Sequence, residues 1–186
     1  RNKNIKIYIN GKFFIREKAK ISVFDSSILL GDGIWSGIRF HNNNFLFLKD
    51  HLNRLFDDAK KISLKIHLTK KQISKILFDT IKINKMKTDV HLRLIISRGI
   101  KSTPYQDPVF TISKPTIIII PEYKQPQESI YKKGLVLKTV KTIRGPHNVQ
   151  DPRINSLSKL NCILACIEAK KQKADLEAKA KKEKEE

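Results

Sequence analysis

Val90 to Ser97 alternates without a break. Val90, Leu92, Leu94 and Ile96 fall on one side of an extended chain, and His91, Arg93, Ile95 and Ser97 on the other. A strand repeats every two residues, so this octet reads as a sheet strand with one face in a core and one face free to carry polar groups. Thr116 to Ile120 is one threonine followed by four isoleucines, which suits a central strand. Any fold for this chain has to build a sheet around these two segments.

The stretches before them supply the rest of a small domain. Ile5 to Asn10 reads as a strand, Asn10-Gly11 as a hairpin turn, and Lys12 to Arg16 as the return. Ile34 to Phe40 and Phe45 to Leu48 read as strands either side of an Asn-rich turn, with Gly37 permitting close approach. Asp50 is a candidate N-cap for a helix whose Leu52, Leu55, Phe56, Ala59 and Ile62 recur at helical spacing. Thr69 opens a second helix with Ile73, Ile76, Leu77 and Thr80 on one face. The expectation is an α+β small domain over 1–120, a mostly antiparallel sheet with two helices packed against it.

After that the pattern thins. Residues 121–134 are polar, carry two prolines and read as a linker. Leu135 to Ile143 reads as a strand, Arg144 to Arg153 as a loop, and Ser156 or Ser158 as the start of a helix holding Leu160, Ile163, Leu164 and Ile167. Residues 135–175 are thus expected to begin a second, incomplete domain, with 176–186 a charged tail. A domain left without its partners should associate or dissolve poorly.

The charge is +20, from 38 Lys and Arg against 18 Asp and Glu. The lysines are spread along the chain and no aromatic residues interleave with them, so the charge is read as solvated surface and nucleic acid is not an expected partner. No run of eighteen apolar residues is present, and the first eleven residues lack the apolar segment of a signal peptide. Cys162 and Cys166 share a helical face, where they read as buried thiols of a reducing, cytoplasmic compartment.

Several motifs follow one another in a fixed order. Tyr8-Ile9-Asn10-Gly11 comes first, then Val23-Phe24-Asp25, then Gly31-Asp32-Gly33-Ile34-Trp35-Ser36-Gly37-Ile38-Arg39. Phe47-Leu48-Lys49-Asp50-His51-Leu52-Asn53-Arg54-Leu55 is next, followed by His91-Leu92-Arg93-Leu94 and Ser97-Arg98-Gly99. This series resembles the small domain of the fold-type IV, class IV aminotransferases, the branched-chain and D-amino-acid enzymes and their lyase relatives. The resemblance covers roughly residues 5 to 175, and the Gly-Asp-Gly element with His-x-x-Arg-Leu is its most specific part.

What the resemblance implies is a pyridoxal-phosphate enzyme that moves an amino group between an amino acid and a 2-oxo acid, as a homodimer. It implies that Arg54 grips the cofactor phosphate, for which a guanidinium fork is suited, and that His51 supports it. It implies substrate contacts for Trp35, Arg39, His91, Arg93 and Arg98. Trp35 and its apolar neighbours favour branched-chain over D-amino acids. Relatives often carry Glu where this chain has Ser36.

Such chemistry needs a lysine amine. Many relatives read Ile-Lys-Ser-Leu-Asn before a similar helix, and an ungapped match puts their lysine on Asn155, four residues before Lys159. Either Lys159 serves from one turn along, or Asn155 marks a lost attachment; Lys159 is the residue assigned the catalytic and cofactor-binding role. The carboxylate that relatives supply to the pyridine nitrogen lies beyond the matching segment, so the chain is expected to be shortened at its C-terminus. A lyase-like reaction and a non-catalytic interaction protein of the same fold remain alternatives.

Overall fold

The computed structural model describes residues 2–125, 127–134 and 137–182, of which 173–182 by backbone alone. Six antiparallel strands make one sheet in the order β2-β1-β6-β5-β3-β4. They are β1 (Lys6–Ile9), β2 (Lys12–Ile15), β3 (Gly33–His41), β4 (Asn44–Phe45), β5 (Val90–Ser97) and β6 (Thr116–Tyr123). The helices are α1 (Ser26–Leu30), α2 (Leu48–Lys61), α3 (Lys70–Ile83), α4 (Glu128–Lys133) and α5 (Leu160–Lys182).

The alternation of β5 does what its period requires. Val90, Leu92, Leu94 and Ile96 are fully buried, together with Ile34 and Ile38 of β3 and Ile119 of β6. Leu52, Leu55 and Ala59 of α2 and Ile73 and Leu77 of α3 join them in one cluster. Burying side chains of this size stabilises by about 1.5–3 kcal/mol each before entropy is counted. Thr69 caps α3 through a reciprocal capping box with Gln72, which satisfies two free helix donors. The β1–β2 turn takes Asn10 at φ 44° and Gly11 at φ 92°, the left-handed pair that matches the twist of a hairpin.

Three boundaries differ from the sequence expectation. Phe45 to Leu48 is not a four-residue strand: β4 ends at Phe45, Phe47 turns left-handed at φ 52°, and α2 starts at Leu48. Asp50 is therefore not the N-cap. It lies in the first helical turn, where a carboxylate complements the helix dipole. β6 continues past Ile120 to Tyr123, through Pro121. Its register with β1 stops at Ile119, so Pro121 sits where β6 has no neighbour on that side to bond.

The chain divides into two compact units. One comprises Arg1–Pro126 and Ile154–Ser158, and holds the whole sheet. The short return segment is an addition that the sequence did not signal. β4 covers only the Phe40–His41 end of β3. The bare edge at the other end is paired by residues 155–157: Trp35 N donates to Asn155 O at 3.0 Å, Leu157 N donates to Gly33 O at 2.9 Å, and Ser156 bridges Ile34.

The other unit comprises Gln127–Arg153 and Lys159–Glu186. Residues 137–143 form no strand, contrary to the expectation for Leu135 to Ile143, of which the first two lie outside the described residues. Lys141 N, Thr142 N and Thr142 Oγ1 instead donate to the Glu168 carboxylate at 2.8, 3.0 and 2.9 Å. Those three donors hold Glu168 below the usual carboxylate range. The last helix begins at Leu160 rather than at a serine and runs on through the charged tail to Lys182.

Candidate functional site

The Gly-Asp-Gly element is a bracket between α1 and β3. Asp25 caps α1 by accepting from Ser27 N at 2.9 Å, and its other oxygen accepts from Thr116 Oγ1 at 2.7 Å. Gly31 closes the helix at φ 65°, a conformation that costs glycine nothing. A Cβ on Gly33 would stand 2.7 Å from Ile96 O and 2.7 Å from Leu157 Cδ1, so only glycine lets β5 and the 154–158 segment approach together.

Asp32 faces Arg98. Arg98 Nε donates to Asp32 Oδ2 at 2.6 Å and Nη2 to Oδ1 at 3.1 Å. Arg98 also donates to the carbonyls of Ile62 and Ser63, at 2.8 and 3.1 Å, at the end of α2. Every nitrogen of its guanidinium is engaged in holding the bracket to α2. Arg98 is thus not brought to the open face with the other expected substrate residues.

Three side chains meet where α2 crosses β3. Ser36 is completely buried on the helix-facing side of β3. Arg54 Nη2 donates to Ser36 Oγ at 3.4 Å, and Ser36 Oγ lies 3.2 Å from His51 Nδ1. A guanidinium only donates, so the serine proton is free to go to His51 Nδ1, leaving the ring proton on Nε2. Burial, then the Arg54 charge, push His51 below its ordinary value, against a smaller upward pull from Asp50. His51 is therefore neutral near pH 7, in keeping with that tautomer.

Phe47, Asp50, His51 and Arg54 line an open pocket of about 470 Å³. Among the described residues no carboxylate pairs with Arg54. A guanidinium with most of its five donors unused and an imidazole N–H form a set suited to a phosphate. The phosphate end of pyridoxal phosphate fits the donors of Arg54 and His51, with the Asp50 carboxylate on the same pocket wall as an opposing charge.

The opposite face of the sheet carries the remaining expected residues. Trp35, Gly37 and Arg39 of β3 pair across to Ile95, Arg93 and His91 of β5, so they share one face. The Arg93 guanidinium stacks 4.3 Å from the Trp35 ring centroid. No acid pairs with Arg93 among the described residues, and it is exposed. The His91 ring fills the space left by Gly37, where a Cβ would meet its Nε2 at 2.7 Å. Burial, then Lys124, Arg93 and Arg39, push His91 down, opposed by Glu122. Arg39 is more committed: it bonds Asp89 Oδ1 at 3.1 Å and the Lys124 carbonyl.

Asn155 sits at the β3 edge that separates these two faces. Its Nδ2 donates to Trp35 O at 2.9 Å and its backbone N to Asp58 Oδ2 at 3.2 Å. Asp58 is buried in α2 and also pairs with Lys61 at 3.4 Å. Ser158 Oγ donates to Gly31 O at 3.3 Å, so the residue before Lys159 is tied to the bracket. Lys159 itself belongs to the second unit, where its carbonyl accepts from Ile163 N at the start of α5. The partners Asp58 and Asp32 went unrecognised in the sequence, because an acid on an amphipathic helix or in a turn carries no local sign of what it will meet.

The amino-transferase class IV family model matches residues 33–179. The chain is 38% identical over 165 residues to a candidate branched-chain-amino-acid aminotransferase of Methanocaldococcus jannaschii, covering 89% of this chain and 56% of that protein. It is 35% identical over 176 residues to branched-chain-amino-acid aminotransferase-like protein 2 of Arabidopsis thaliana, covering 94% of this chain and 31% of that one. The chain therefore spans about half, or less, of these relatives' length. Its fold matches the T.th. branched-chain amino acid aminotransferase complexed with N-(5'-phosphopyridoxyl)-L-glutamate, at TM-score 0.77 and 21% identity, over 89% of this chain and 54% of that one.

Proposed function

Because this chain belongs to the class IV aminotransferase family, we propose that it carries the small-domain part of a pyridoxal-phosphate aminotransferase. The reaction moves an amino group from an amino acid, of branched-chain type, to a 2-oxo acid. The observation that carries this reading is the Arg54–Ser36–His51 cluster, a cationic phosphate grip with no carboxylate neutralising Arg54 among the described residues. A relative seen with a phosphopyridoxyl amino acid supports it.

When bound, pyridoxal phosphate supplies an aldehyde to receive the amino group and a ring that stabilises charge on the substrate α carbon. The chain's residues do the rest. Arg54 and His51 donate to the phosphate, and Ser36 fixes the His51 tautomer. Arg93 holds the substrate carboxylate, Trp35 keeps that guanidinium flat and offers an apolar surface, and His91 and Arg39 border them. Lys159 would be the residue that holds the cofactor through its amine, and that amine would carry the proton at the substrate α carbon. Arg98 acts by holding the Gly-Asp-Gly bracket. The small domain expected over 1–120 is read as the sheet unit, 1–126 with 154–158, and the linker and the start of the cofactor domain as the remaining residues from 127 on. The protein works as a cytoplasmic homodimer, as its family resemblance implies; among the described residues no helix is long and apolar enough to cross a membrane.

The test is chemical. Pyridoxal phosphate is added to the purified chain, the product reduced with borohydride, and modified lysines mapped by mass spectrometry. Label confined to Lys159, needing at least about tenfold more cofactor in Arg54→Ala, is the expected result. Label scattered over surface lysines, unaffected by Arg54→Ala, rejects the reading in favour of a non-catalytic member of the family.

A further inference from the structure

The sheet unit has a second opening, of about 520 Å³, at the end of the sheet where the β1–β2 turn, the start of β6 and the α2–α3 connection meet. It shares no residue with the Arg54 pocket. Its wall is apolar where Tyr8, Leu68, Ile100 and Ile117 line it, and no acid contributes to it.

Most of its polar groups are already committed inside the fold. Asn10 Oδ1 accepts from Ile117 N at 2.7 Å, Ser113 Oγ accepts from Ile100 N at 2.7 Å and donates to Lys114 O at 2.9 Å, and Thr116 Oγ1 donates to Asp25. The Tyr8 hydroxyl lies by the Gly11 backbone. Two side chains remain uncommitted among the described residues, His67 and Lys114, and both are basic. They act on each other: after burial, the Lys114 charge is what lowers His67. One lysine cation and one imidazole, both exposed at the opening with no counter-charge, form a set that an anion complements, and an anion there favours the protonated imidazole; the walls around them suit a short hydrocarbon.

We propose that this opening is a second ligand site, for a small organic carboxylate whose anionic end lies between Lys114 and His67 and whose apolar body packs on Leu68 and Ile100. The inference rests on these residues alone and stands apart from the reading of the Arg54 pocket. Binding adds an attractive neighbour to His67 against the standing repulsion of Lys114. The titratable groups facing the opening are Tyr8 of β1, His67 of the α2–α3 connection and Lys114 before β6. Of these, His67 is held below its ordinary value and Tyr8 is pushed up by burial.

The experiment follows the ring signals of all five histidines of the full chain by NMR across pH 5 to 8, with and without millimolar isovalerate. The expected result is an upward shift of the His67 midpoint, with His51 and His91 unmoved. Lys114→Ala weakens the effect about tenfold or more, Lys114→Arg keeps it, and Arg54→Ala leaves it intact. A His67 midpoint indifferent to isovalerate overturns the proposal, as does a shift that survives Lys114→Ala. Inorganic phosphate is the control for the apolar half. An equal shift with phosphate overturns the carboxylate assignment, and a smaller one supports it.

Discussion

Leu94 and Leu137 are the same residue in two different halves of one chain. Leu94 is wholly buried in the sheet unit, whereas Leu137 is 85% exposed in the other. The contrast is general. The sheet unit closes Ile34, Ile38, Leu92, Ile96, Ile117 and Ile119 under α2 and α3, while Ile143, Val149, Leu160 and Ile163 of the second unit stand open. No described residue of that unit is buried. Apolar patterning alone does not make a core. A face needs an opposing face of matching size, and the sheet unit supplies its own.

The largest predicted effect tests that contrast directly. Leu94→Ala should cost about 2–5 kcal/mol of stability, read as a fall in the melting midpoint of the chain. Leu137→Ala should leave the midpoint unchanged and reduce self-association in sedimentation. Equal losses at both sites would show that the second unit has a core after all.

A smaller loss is expected at the bracket. The Arg98 and Asp32 side chains are only 12% and 20% exposed. Removing Arg98 strands a largely buried carboxylate, so Arg98→Ala should cost about 3 kcal/mol. Denaturant melts measure it, and a loss below about 1 kcal/mol would place the pair with ordinary surface ion pairs.

Asn155 probes the short segment that the sheet unit borrows from late in the chain. Asn155→Ala removes one side-chain hydrogen bond and should cost about 1 kcal/mol, with faster amide exchange confined to 154–158. Asn155→Lys should create a second reducible pyridoxal-phosphate label at residue 155, since that position lies at the edge between the Arg54 and Trp35 faces. Absence of label at residue 155 would count against a cofactor lying across this edge.

The smallest effect is the pH dependence. His51, His67 and His91 are all lowered from 6.5, chiefly by burial. Below that value the unfolded chain takes up protons that the folded chain resists. Stability is therefore fully present above pH 6.5 and declines as pH falls through the lowered folded values. His91→Gln should flatten part of this acid slope in melts run from about pH 7.5 to about 5.

Much of the sheet unit was legible beforehand. The octet from Val90, the Asn10-Gly11 turn and the Thr69 cap each carry a local signal: a period, a turn chemistry or a capping pair. The positions of Arg54, Trp35 and Arg93 followed from the motif order. The partners of those residues did not. Ser36 between Arg54 and His51, Asp32 under Arg98 and Asp58 under Asn155 join residues 15 to 97 apart in sequence, and no short-range pattern marks such a meeting. The expected strand at Leu135 to Ile143 failed for the same reason. Its alternation was real, but among the described residues no strand lies alongside 137–143, and Glu168 takes up backbone donors that a ladder would have used.

Local sequence was enough to set the strands, the two packed helices, the glycine turns and the family these belong to, because each rests on contacts a few residues long or on motifs in fixed order. Only packing between distant segments made Arg98 a clamp, set Ser36 between Arg54 and His51, and brought residues 154–158 to the edge of β3. Those outcomes depend on which groups lose water and which donor finds which acceptor, and neither is set until the segments meet.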